Sequence, residues 1–159
     1  MLWALFDEEC VEYKIQGNTL EMKTKHYLTL EDAEFLLTRA HQYAIDQKFN
    51  VSIAVVDESG TLLAMKRMDG ASPMTANLAV EKAKCSALSR KPSQIFEELI
   101  KDGQLGFLTV SSFSGMLEGA EPIIYKEHLV GALGVSGVKS HEDAEIAQHA
   151  IQVFLALAD

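Results

Sequence analysis

Two tight reversals constrain this chain more than any other feature of its sequence. Asp57-Glu58-Ser59-Gly60 separates residues 51–56 from residues 61–67, and Lys126-Glu127 separates residues 122–125 from residues 129–136. The flanking runs are rich in β-branched and aliphatic residues, as strands are, and the first reversal carries the Asp, Ser and Gly that turn a chain. Strands joined this closely pair antiparallel, because a parallel pair needs a crossover of roughly a dozen residues or more. The expected sheet is antiparallel, which sets aside the doubly wound parallel folds that bind dinucleotides.

Helical patterns surround the two hairpins. The first is expected over 29–48, with Thr29 as N-cap and Asp32 completing a capping box. At about 100° per residue, Ala33, Leu36, Leu37, Ala40 and Ala44 form one apolar stripe, with His41 on one flank and Tyr43 on the other. Ser72-Pro73 opens a second helix running to Ser89, whose Ala76, Ala79, Ala83 and Ala87 permit close approach to a support. Pro92-Ser93 restarts a short helix through Lys101, and the Gly- and Ser-rich stretch 103–119 shows no period. Ser140, with Asp143 three residues on, is the expected cap of the last helix, with Ala144, Ala147, Ala150, Ile151, Phe154 and Ala158 as its core face. His149 projects away from that face, and Ile146 and Val153 lie too far round for the same sheet to bury. A second packing partner would cover them, so a homo-oligomer built on two-fold dimers is expected. The order helix, hairpin, two helices, hairpin, helix describes an α+β domain over 28–159. Residues 1–27 read as an N-terminal extension, with a weak hairpin pattern over 11–24.

Fourteen Lys and Arg against 23 Asp and Glu leave a net charge of −9 over 159 residues, which disfavours nucleic acid as a partner. No apolar run approaches the ~20 residues of a membrane span, and the opening Met1–Phe6 stretch lacks the basic flank of a signal peptide. Cys10 and Cys85 stand far apart without a zinc spacing, as free thiols of a cytoplasmic protein do.

Candidate chemistry is sparse. Gly131, Gly134 and Gly137 match no phosphate-binding fingerprint. Val130, Ala132, Gly134 and Ser136 nevertheless make one strand face very small, so either a helix or a flat ligand can come close at Gly134. Lys139 follows at a helix start, where anions are favoured. Arg67 either pairs with Asp69 or Asp57, or binds a substrate carboxylate. Lys82 and Lys84 are expected to be solvated, as most helix lysines are. Among His26, His41, His128, His141 and His149, the flank position of His41 best suits an iron ligand, because a stripe border can line a pocket and keep a ring nitrogen free. No zinc motif, nucleophile elbow or catalytic triad is present, so the sequence assigns no reaction.

Four stretches together resemble the GlcG/HbpS-like family, met also as the C-terminal domain of PduO-type corrinoid adenosyltransferases. They are Leu28-Thr29-Leu30-Glu31-Asp32-Ala33, Ile53-Ala54-Val55-Val56-Asp57 with Gly60, Arg67-Met68-Asp69-Gly70-Ala71, and Val130-Gly131-Ala132-Leu133-Gly134-Val135-Ser136-Gly137. Lys82-Ala83 and Glu121-Pro122-Ile123 also fall where the family has similar residues, although Gly119-Ala120 replaces its usual Gly-Gly. The resemblance implies a profilin-like fold, homo-oligomers and, for some members, haem binding or haem-linked sensing. On that footing a cytoplasmic haem- or tetrapyrrole-binding accessory protein is expected, with His41 as iron ligand and Arg67 or Lys139 on a propionate. The alternative is a small enzyme or organic-acid-binding module of diol- or glycolate-type metabolism that uses Arg67, Asp69 and the helix start after Gly137.

Overall fold

The computed structural model describes residues 24–158. Cys10 and the apolar residues of the expected hairpin, from Val11 to Met22, lie outside them. Helix α1 (Leu30–Asp46) leads into strands β1 (Ser52–Asp57) and β2 (Leu62–Arg67). Helices α2 (Pro73–Ser89) and α3 (Gln94–Lys101) follow, then a short 3-10 turn at Leu105–Thr109. Strands β3 (Ala120–Tyr125) and β4 (His128–Ser136) and helix α4 (Ser140–Leu155) complete the fold. The four strands form one antiparallel sheet in the order β2-β1-β4-β3, so both hairpins are present and β4 pairs with β1 between them.

Helices α1 and α4 cover one face of this sheet and α2 covers the other. The central strands β1 and β4 are therefore buried on both sides, which explains why residues 51–56 read as a continuous apolar run rather than an alternation. The α1/α4 face is thick: Ile53 and Val55 of β1 and Leu133 and Val135 of β4 meet Leu36, Leu37, Ile146 and Ile151. The α2 face is thin: Val56 and Ala132 meet Ala83 and Ala87. A β-carbon on Gly134 would lie 2.3 Å from the Ala79 carbonyl oxygen and 2.7 Å from the Ala83 nitrogen. Only glycine lets the α2 backbone settle this close to β4.

The expected caps hold at α1, where Asp32 Oδ2 accepts from the Thr29 N–H at 2.8 Å and Thr29 Oγ1 accepts from the Asp32 N–H at 3.2 Å. At α4 the cap shifts by one residue: Lys139 precedes the helix, and its N–H donates to Glu142 Oε2 at 3.0 Å. Asp143 is thereby released from capping Ser140 and turns inward. Two further expectations for α4 are corrected. Ile146 is fully buried, because α1 packs beside α4 on the same face and supplies the second partner from within the chain. His149 is half-buried rather than surface-directed, with its ring 4.4 Å from that of Tyr43.

Candidate binding site

The four residues singled out by sequence do not converge. His41 sits half-buried on the flank of α1 opposite Tyr43, and Tyr43 faces α4 through Glu145 and His149. Arg67 lies at the exposed end of β2, in register with Ser52. The Ser52 hydroxyl meets Thr75 Oγ1 of α2 at 2.8 Å, so the alternation of the strand carries Arg67 on the α2 face, across the sheet from His41. Lys139 is exposed at the start of α4. Gly134 is covered by α2 and leaves no room for a ligand, which decides between the two readings of its small face in favour of helix packing.

The histidines differ in what occupies their rings. His26 packs edge-on against Tyr125, His128 Nδ1 lies 2.7 Å from the Lys126 carbonyl, and His149 is covered by Tyr43. His141 is exposed in the first turn of α4. His41 alone combines partial burial with a ring that has no hydrogen-bond or ring partner among the described residues. Arg67 likewise forms no ion pair with the described residues. One suggested partner, Asp57, is engaged by its own turn, where Oδ1 accepts from the N–H groups of Ser59 and Thr61, both at 2.9 Å.

Sequence reasoning missed the main electrostatic feature. Lys82 is buried, and its ammonium donates to Asp143 Oδ2 at 2.9 Å and to the Val135 carbonyl at 3.2 Å. Asp143 Oδ1 accepts from the Val138 N–H at 3.2 Å, so every polar atom of the pair is engaged. Burial pushes the Asp143 carboxyl above its usual range, opposed by the Lys82 ammonium and the Val138 amide. Gly119, at φ +131°, passes so close that a β-carbon there would lie 2.7 Å from Lys82 Nζ. Gly119 is thus a glycine that the structure requires. The available signals were the neighbours Ala83 and Ala144, which place both charges beside buried helix faces.

The described residues form at least two surface clefts. One, of about 490 Å³, lies between α3 and the 108–117 segment, with Glu97, Phe113 and Met116 in its walls. The other, of about 230 Å³, lies where His26 and Asp32 approach Tyr125 and Phe154. Neither includes His41, Arg67 or Lys139. Cys85 lies beneath the first cleft with Phe96 and Met116, and burial pushes its thiol up to about 12, far from a reactive thiolate.

The family model described as "Haem degrading protein HbpS-like" matches residues 28–152. Protein GlcG of Escherichia coli K12 is 36% identical over 115 residues, covering 72% of this chain and 85% of GlcG. Klebsiella pneumoniae protein ORFY superposes with a TM-score of 0.80 at 25% identity, over 88% of this chain and 99% of that one. A double mutant of Streptomyces reticuli HbpS gives 0.76 at 26%, over 87% and 94%. The two structures share the antiparallel α+β fold described above, no helix among the described residues is long and apolar enough to cross a membrane, and the chain belongs to the HbpS-like family.

Proposed function

We propose that this chain binds haem or a related tetrapyrrole as a cytoplasmic homo-oligomer in an accessory or sensor role, with His41 as the protein ligand to iron. The observation that carries the residue is the half-buried ring of His41, which has no partner among the described residues. The name of the matching family supports the ligand class. An imidazole with a free nitrogen suits haem iron, and Ile45, one turn on and 46% exposed, offers apolar surface on the same flank. Neither of the two clefts includes His41, and in this reading a second copy of the chain closes over the α1 flank. Bound there, haem would supply an iron centre open to redox change or small ligands, while the chain would hold its edge and shield it from water.

Arg67 is on the wrong face to meet a propionate beside His41 of the same subunit. Lys66, in register with Ile53, is carried on the α1 face and is the better partner. Titration with hemin is expected to give a saturable Soret shift that His41→Ala removes. The exposed His141 is the proper control, since truncating His149 would disturb its packing on Tyr43.

One observation favours the second reading, an organic-acid-binding module or small enzyme. Arg67, without an ion pair among the described residues, ends β2 beside Ser52 and Ser136, at the sheet end where α2 and α4 both begin. Absence of a Soret shift, with a small carboxylate retained in native mass spectrometry, would select it.

A further inference from the structure

The 490 Å³ cleft does not include His41 and has a chemistry of its own. Ile100, Leu108, Phe113, Met116 and Leu117 make its walls apolar, and one carboxylate, Glu97, stands among them with 15% of its side chain exposed. Glu97 Oε2 accepts from the Glu118 N–H at 2.6 Å, and Oε1 faces Lys101 Nζ, also at 2.6 Å. These two contacts are unequal. The amide is fixed by the backbone, whereas Lys101 reaches back along one turn of α3 with 68% of its side chain in solvent. Exposed pairs of this kind are weak and easily exchanged. The surroundings are acidic as well, since Glu98 and Glu118 act on Lys101 in the same sense as Glu97.

We propose that this cleft binds an organic cation with an apolar body, its ammonium taking the place of Lys101 on Glu97 and its apolar part lying against Phe113 and Met116. An aromatic ring and a polarizable thioether both pack favourably against an apolar or aromatic body. The size suits a small organic molecule, as ligand pockets span roughly 300–1,000 Å³. The proposal is independent of the haem reading, because it rests on residues of this cleft and the haem reading rests on the α1 flank.

Calorimetric titration of the full chain with 2-phenylethylammonium tests it, with 3-phenylpropionate as the anionic counterpart. The cation should bind saturably and the anion should not. Glu97→Gln keeps an oxygen for the Glu118 N–H and should weaken the cation about tenfold, as loss of a charge-assisted contact does. Lys101→Ala should tighten it about threefold by removing the internal competitor. Failure of the wild-type protein to bind the cation, a weaker cation in Lys101→Ala, or displacement of the cation by hemin would each overturn the proposal.

Discussion

The two faces of the sheet are built on opposite principles. The α1/α4 face is filled with branched side chains that interdigitate across a wide gap, and its helices leave a flank carrying His41. The α2 face is lined by small side chains, and its closest contact is nearly backbone on backbone at Gly134. Bulk absorbs small changes, because neighbouring rotamers can adjust. Close backbone contact cannot, since no flexible atom lies between the two elements. The difference teaches where each kind of function can reside: the thick face can offer surface to a ligand or a second subunit, whereas the thin face fixes the frame. The Lys82–Asp143 pair joins the two, tying α2 on one side to α4 on the other.

The largest test of this comparison breaks that tie. Asp143→Ala leaves Lys82 buried and unpaired, and denaturant unfolding should show a loss of about 3–5 kcal/mol. The double substitution Lys82→Met with Asp143→Leu should recover much of that loss, because no charge then remains buried. Equal destabilisation in the single and double variants would mean that packing, not charge, holds the helices here.

Next in size is the contrast between the faces themselves. Gly134→Ala should cost about 1–3 kcal/mol or more by pressing a methyl group onto the α2 backbone. Ile146→Val, on the thick face, should cost about 0.5–1.5 kcal/mol as an ordinary deletion of one methylene. Thermal melts that rank these two variants in the reverse order would undo the distinction.

Much of the frame was legible because it is local. Both hairpins, the Thr29–Asp32 box and the Ser72-Pro73 helix start are written in residues a few positions apart. The errors come from contacts that no local pattern encodes. Lys82 and Asp143 are 61 positions apart and meet across the end of the sheet. Ile146 and His149 were misplaced because a helical wheel assumes one support, while α4 packs against both the sheet and α1. The cleft lay hidden in residues 103–119, whose irregular backbone gives no period to read. His41 was legible as a flank residue, but its lack of a partner among the described residues emerges only from the fold.

A smaller effect should appear in the β1–β2 turn, away from both faces. Burial raises the Asp57 carboxyl, but the bonds from Ser59 and Thr61 outweigh it and hold the group below its usual range. A carboxyl lowered on folding contributes stability above its unfolded value, and that contribution is lost as pH falls through the folded value. Stability measured downward from about pH 5 should therefore fall less steeply in Asp57→Asn than in the wild type. Parallel acid profiles for the two proteins would show that the turn does not depend on the charge.

The claim that the α1 flank is the functional surface is tested most directly by hemin titration of three proteins under one set of conditions. Wild type and His141→Ala should give the same saturable Soret band, and His41→Ala should lose or shift it while its far-ultraviolet circular dichroism stays unchanged. A Soret band in His41→Ala indistinguishable from wild type would contradict the account.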